Sequence, residues 1–336
     1  MATQQDAGGV PFSIAHDMRQ FRLLELPAEL LALLDAPDPP LLSMKSQAPS
    51  SAKPAYVVLC TPTSTFQLRQ VQTSNTVLIT QPTLEAHDSD IPVPTTRAMA
   101  TCTTTLELHP ADGTPIESLT ELLPLYHIVD DEVDASGNGK SKDGVFRDIP
   151  FSDGQCNRVW QDMMAFEFAG SCWRPSANTL IQVWRSINQA AVADGIKLDK
   201  QFLTEDLMRA VDEDAHPADL VLAILMRLNT ETESNNGPWS CLDCTKTVSF
   251  VGTALLDAKI GLSDYATTDF IESWKDCLPE VWRNETNLKA IDAAYSLPSP
   301  STIRSKKSLD TAKADAAPKA GSQRKWHEKF GRARKK

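Results

Sequence analysis

In the first 130 residues, apolar and polar positions trade places mostly at the two-residue period of a pleated strand. Phe66-Gln67-Leu68-Arg69-Gln70-Val71 alternates cleanly and predicts a half-buried strand. Phe21–Leu26 reads as a strand stopped by Pro27, and Tyr56–Cys60 as a run of β-formers opened by Pro54. Thr76–Thr80 and Met99–Leu108 add two more. Two helices interrupt them. Glu29–Leu34 ends near the breaker Pro37-Asp38-Pro39-Pro40. Glu117–Val129 carries Leu119, Leu122, Leu123, Tyr126 and Val129 at helical spacing. Leu84–Arg97 and Asp130–Gly144 lack periodicity and read as linkers, the second as a domain boundary.

After Val145 the period becomes helical. Helices are predicted over Asp153–Ala169, Ser176–Asp194, Thr204–Glu213, Pro217–Asn229, Thr245–Ala258, Thr268–Cys277 and Glu285–Tyr295. Gly195 is a stop for the second of these, and Thr204-Glu205-Asp206 suits a helix start. Trp239–Leu242 is short enough to be a wing. Short helices punctuated by such a piece suggest tandem winged-helix-like units, relatives of the helix-turn-helix. After Leu297 the chain turns to Pro, Ser, Lys and Ala, and a disordered tail is expected. The predicted fold class is α+β. Its segments are 12–129 (β-rich), 130–144 (linker), 145–236 and 237–300 (two winged-helix-like units) and 301–336 (basic tail).

Charge divides the chain more sharply than its net value of −11 suggests. Arg304–Lys336 holds 12 Lys+Arg against 3 acidic residues, a tail of +9 on a body of −20. Such a body does not attract phosphate broadly, whereas a basic tail does. The first residues lack the basic and apolar regions of a signal peptide, and no apolar run reaches membrane length. Seven scattered cysteines fit reduced thiols in cytosol or nucleus.

Candidate chemistry is sparse. Cys241-x-x-Cys244 is a single pair where a structural zinc needs four ligands, so it is a weak signal. Asp130-Asp131-Glu132 reads as solvated surface. The sequence holds no Gly-x-Ser-x-Gly elbow, phosphate-cradling loop or dinucleotide fingerprint. No catalytic residue, metal ligand or cofactor is therefore assigned, and the chain is expected to be non-enzymatic. Trp160, Trp173, Trp184, Trp239, Trp274 and Trp282 stand among apolar neighbours and are expected mostly as core anchors. The tail interleaves Arg324, Lys325, Lys329, Arg332 and Arg334 with Trp326 and Phe330, a pattern for phosphate contact with stacking, or for nuclear import. Gln323, Trp326 and Phe330 only loosely echo a sliding-clamp docking motif, because Lys329 stands at one of its aromatic positions.

The run Phe66-Gln67-Leu68-Arg69-Gln70-Val71-Gln72-Thr73-Ser74-Asn75 resembles a signature of the DCC-type sister chromatid cohesion subunits of an alternative replication factor C clamp loader. Phe21–Pro27 precedes it, and Asp148–Gly154, Trp173–Ser176, Phe250–Gly252 and Phe270–Trp274 follow it, in the family's order. The resemblance implies a non-catalytic nuclear subunit. Its β-rich part would complete a composite barrel with the small subunit and the large ATPase subunit, with Phe66–Asn75 at the partner surface. Its winged helices would bind DNA weakly and without sequence preference, dock on the catalytic subunit of polymerase epsilon, and serve the sliding clamp indirectly. Longer relatives carry a third winged helix where only about 40 residues remain here after Tyr295, too few and too polar for such a domain. DNA contacts would then fall to Lys246, Lys259, Lys275, Arg283 and Lys289, or to the tail. The alternative is a stand-alone winged-helix chromatin or transcription factor.

Overall fold

The computed structural model describes residues 9, 11–47, 56–86, 91–128, 139–212, 216–230, 237–260 and 265–307. The fold is mixed α+β, as the pattern predicts. Two compact units emerge: 1–122 with 142–159, and 123–141 with 160–336.

Unit one is built on β1 (Phe12–Ile14), β2 (Leu23–Glu25), β3 (Ser43–Gln47), β4 (Tyr56–Cys60), β5 (Thr65–Glu85) and β6 (Val93–Pro110). Their order is β1-β6-β5-β4-β3, with β2 also on β6, and the sheet is open among the described residues. The two strands read from Phe66–Val71 and Thr76–Thr80 are one long arm, β5. The expected linker Leu84–Arg97 is largely the ends of the β5–β6 hairpin. Its Pro, Thr and Ser residues hide the period, and pairing from Glu85↔Val93 onward supplies the order that local pattern lacks. β1 and β2 line the far side of β6 in parallel.

Helix α1 (Ala28–Leu34) begins after Pro27 and buries Leu30 against Leu59, Phe66 and Leu108. Helix α2 (Ile116–Leu122) stops far short of Val129. Pro124 supplies no donor, and Leu125–Tyr126 extends as β7. Helix α3 (Lys142–Asp148) occupies the end of the expected linker. Asp130-Asp131-Glu132 lies outside the described residues. Helix α4 (Asp153–Asp162) ends seven residues before Ala169, because Met164 turns left-handed.

In unit two, β8 (Phe166–Phe168) and β9 (Ser171–Pro175) form a hairpin where helix was expected. Ala169 and Gly170 both sit at positive φ, the backbone of a type I′ turn. β9 also pairs with β7, and Tyr126 meets Phe166, Phe168 and Trp173 edge-on.

Helix α5 (Ala177–Ala193) is capped by Ser176, whose oxygen accepts from the Thr179 N–H, and Gly195 leaves it at φ +68°. It buries Ile181, Trp184, Ile187 and Ala191. Next come β10 (Phe202–Leu203), α6 (Thr204–Asp212), α7 (Ala218–Leu228) and β11 (Trp239–Ser240), with β10 and β11 antiparallel. Helix α8 (Cys244–Asp257) is capped by Asp243. β12 (Tyr265–Ala266) and α9 (Thr267–Asp276) follow.

Glu285–Tyr295 is not one helix. Glu280–Glu285 and Leu288–Ile291 are 3₁₀ turns separated by extended Thr286 and Asn287. The start of the expected tail is also structured. β13 (Tyr295–Ser299) and β14 (Thr302–Ser305) form a hairpin around the prolines and bury Ile303. Ser-Pro punctuation here marks a turn, and β14 pairs with β12.

Trp184 and Trp274 are fully buried in a core that reaches from Tyr126 to Ile303, and each indole N–H is satisfied. Trp184 Nε1 donates to the Cys277 carbonyl at 2.8 Å, and Trp274 Nε1 to the Val248 carbonyl at 3.0 Å. Five of the six tryptophans expected as anchors are buried, while Trp239 on β11 is 51% exposed.

Candidate partner interface

β4 pairs with β5 only from Thr65 to Leu68. Beyond Leu68, no described strand covers this edge of β5, although the strand runs on to Glu85. Residues 70–84 hold no charge. Val71, Val77, Leu78 and Leu84 are exposed along them. Native edges are usually blunted by charge, bulge or cover. Here there is one proline, Pro82, and an irregularity between Gln72 and Val77 where β5 carries extra residues. On the same side of the sheet, β3 is paired only with β4 among the described residues and exposes Met44.

The signature run divides into two parts. Phe66 is buried in the unit-one core and Leu68 is half-buried against it. Gln67 accepts from Arg69 at 3.4 Å. Arg69, Gln70, Val71, Gln72 and Asn75 are exposed on the uncovered stretch. Thr73 and Ser74 lie on the same strand. Sequence reasoning read Thr76–Thr80 as a separate strand and missed that the same edge continues through Val77 and Leu78 to Leu84. The absence of charge from Gln70 to Leu84 was the available signal.

It also missed the group that steadies the sheet. Lys45 on β3 is largely buried and donates to the Phe146 carbonyl (2.9 Å), the Phe151 carbonyl (2.7 Å) and Asp153 Oδ1 (2.9 Å). Ser152 N–H donates to Thr65 Oγ1 at 2.7 Å, which in turn donates to Gln155 Oε1 at 2.6 Å. The Asp148–Gly154 segment is thereby tied to the start of β5. Gly154 is required there, since a Cβ would lie 2.6 Å from the Pro62 carbonyl oxygen. Two other resembling segments meet in the same way. A Cβ on Gly252 would fall 2.5 Å from the Trp274 ring.

The DNA candidates are scattered. Lys246 donates to the Asn229 carbonyl at 2.9 Å. Arg283 reaches the Leu278 carbonyl at 3.4 Å. Lys259 stands 5.3 Å from the centre of the Tyr265 ring. Lys275 and Lys289 are exposed on α9 and the second 3₁₀ turn. Arg324, Lys325, Trp326, Lys329, Phe330, Arg332 and Arg334 lie outside the described residues.

Three thiols, those of Cys60, Cys156 and Cys244, are unsuited to nucleophilic work. Burial raises Cys60, and it pushes Cys156 up to about 12. Burial, then Glu285, Asp243 and Asp199, raise Cys244, which opposes the thiolate a metal would need. Among the described residues no cluster of three His, Cys, Asp or Glu is placed to hold a metal.

A family profile described as "sister chromatid cohesion protein Dcc1" matches residues 21–324, nearly the whole chain. The chain belongs to this family. Membership gives it a role in sister chromatid cohesion. The match takes in β2 through β14, hence both the uncovered β5 edge and the helical unit. A comparison with curated proteins found no match.

Proposed function

We propose that this cohesion protein is a non-catalytic nuclear subunit of an alternative replication factor C clamp loader. In this reading its β5 edge is completed by strands of the small subunit and of the large ATPase subunit. The carrying observation is the uncharged, uncovered stretch from Gln70 to Leu84 with Val71, Val77, Leu78 and Leu84 exposed. Main-chain pairing along such an edge gives affinity, and alternate side chains give specificity.

Two features of the second unit favour the winged-helix reading: α5, β10, α6, α7 and β11 run in that order with β10 paired to β11, and α8, β12, α9, β13 and β14 follow with β14 paired to both β12 and β13. This part would dock on the catalytic subunit of polymerase epsilon. Weak, non-specific DNA contact would come from the basic tail and serve the sliding clamp indirectly. The helices argue for that division. Arg209 on α6 is paired with Glu205 and Asp206, and α9 exposes Asp269, Glu272 and Asp276 against Lys275. Those acids repel phosphate, which disfavours a stand-alone DNA reader.

Co-expression with the two partner subunits tests the proposal. A stable three-chain complex is expected, with amide exchange across residues 70–84 slowed on assembly. Failure to co-purify, or unchanged exchange in that stretch, would overturn it. Deleting Gly321–Lys336 is expected to weaken DNA binding and leave the complex intact.

A further inference from the structure

A cleft of about 670 Å³ opens within unit two, well away in sequence from the β5 edge. Ile128, Ile181 and Leu255 supply apolar lining, with Ile181 and Leu255 buried. Around them stand exposed His127, Asn178, Gln182, Arg185 and Lys259. Among the described residues, none that lines it is acidic. That is unexpected locally, because residues 160–307 hold 21 acidic against 14 Lys+Arg.

The polar groups differ in how committed they are. Ser176 and Thr179 satisfy each other, and Tyr265 Oη is bonded to Ser273 Oγ. Arg185 directs one guanidinium nitrogen at Cys277 Sγ, 3.6 Å away, a weak acceptor that leaves most of its five donors to spare. Lys259 is held over the Tyr265 ring, so its ammonium is positioned at the mouth.

We infer that this cleft binds a short acidic peptide of a partner, with one apolar side chain on Ile181 and Leu255 and flanking carboxylates on Arg185 and Lys259. Nucleic acid fits the same features less well. Duplex readers project a convex helix or ribbon into a groove, whereas this site is concave, with a partly apolar lining and the size of a small-ligand pocket. The surrounding unit is net acidic, so a long polyanion meets repulsion that a short acidic segment avoids.

The test uses the full chain and a short labelled peptide alternating aspartate and leucine, read by fluorescence anisotropy. Its asparagine counterpart and a labelled single-stranded oligonucleotide serve as competing probes. The acidic peptide is expected to bind at least about tenfold more tightly than the asparagine version. Lys259→Glu and Arg185→Gln should each weaken it severalfold and leave thermal unfolding unchanged. Lys275→Glu, outside the cleft, should not weaken it. Equal binding of both peptides, indifference to Lys259→Glu, or a loss of oligonucleotide binding larger than that of peptide binding on Lys259→Glu would each overturn the inference.

Discussion

Unit two wraps its largest aromatic side chains inside its own core, and unit one lays a long apolar edge open. Trp184, Trp274 and Phe270 are fully wrapped, with both indole donors paired inside the unit. The long arm of unit one lays Val71, Val77, Leu78 and Leu84 open along an edge with no charge to protect it. Apolar burial is the dominant favourable term in folding. Unit two therefore collects most of that term in its own core, while unit one leaves part of it uncollected along β5. The same contrast separates what a mutation disturbs: stability in one unit, association in the other.

The largest expected effect is in the helical unit. Trp274→Ala removes a fully buried indole and leaves the Val248 carbonyl without its donor. Its cost is about 3–5 kcal/mol. Denaturant melts should show unit two destabilised or unfolded, and a loss of unfolding free energy of only about a few tenths of a kcal/mol would contradict the packing described. Gly252→Ala probes the same contact from the other side. Its new Cβ meets the Trp274 ring at 2.5 Å, and a loss of about 1–3 kcal/mol is expected from overpacking. Gly154→Ala is the matched test in unit one, where the Cβ meets the Pro62 backbone instead.

Those glycines show what was readable in the sequence. Phe250–Gly252 and Phe270–Trp274 stood out as separate segments, and packing explains why they occur together. The helices α5, α7 and α8, with long apolar faces, were legible within a residue or so at each end. The β8–β9 hairpin was not, because its left-handed turn uses an alanine before the glycine, and alanine is no turn signal. β13 and β14 were hidden by prolines that suggested disorder. The β5 edge was half legible. Phe66–Val71 showed the alternation, while the rest of the strand is too rich in Thr and Gln for a period to appear. Lys45 was invisible, since its three acceptors lie about a hundred residues downstream.

The thiols sharpen the comparison through pH. Cys156 is held up to about 12 by burial, against an ordinary value of 9.0, and Cys60 is raised as well. Both are protonated when folded, so their contribution to stability is complete below pH 9. It is lost as pH climbs from 9 toward 12, where the unfolded chain releases protons that the folded one keeps. Unit one should therefore loosen as pH rises above about 9, seen as alkylation of Cys60 and Cys156 that is slow at pH 8 and speeds through that range. Rapid labelling of both at pH 8 in the folded chain would show that they are not buried as described.

The smallest effect on stability carries the most information about association. Leu78 is exposed on the uncovered part of β5 and belongs to no buried core, so Leu78→Lys removes little packing. Folding stability should change by no more than about 0.5 kcal/mol. A lysine on an edge strand is also a common natural guard against strand addition. Assembly with partner strands should weaken by about tenfold or more, since a charge would be desolvated wherever a second strand lies over it. Trp274→Ala should show the reverse: a large loss of stability, with unit one still able to pair. If Leu78→Lys left assembly intact and destabilised the isolated chain instead, the β5 edge would be covered within the molecule, and the contrast between the two units would fail at its most exposed point.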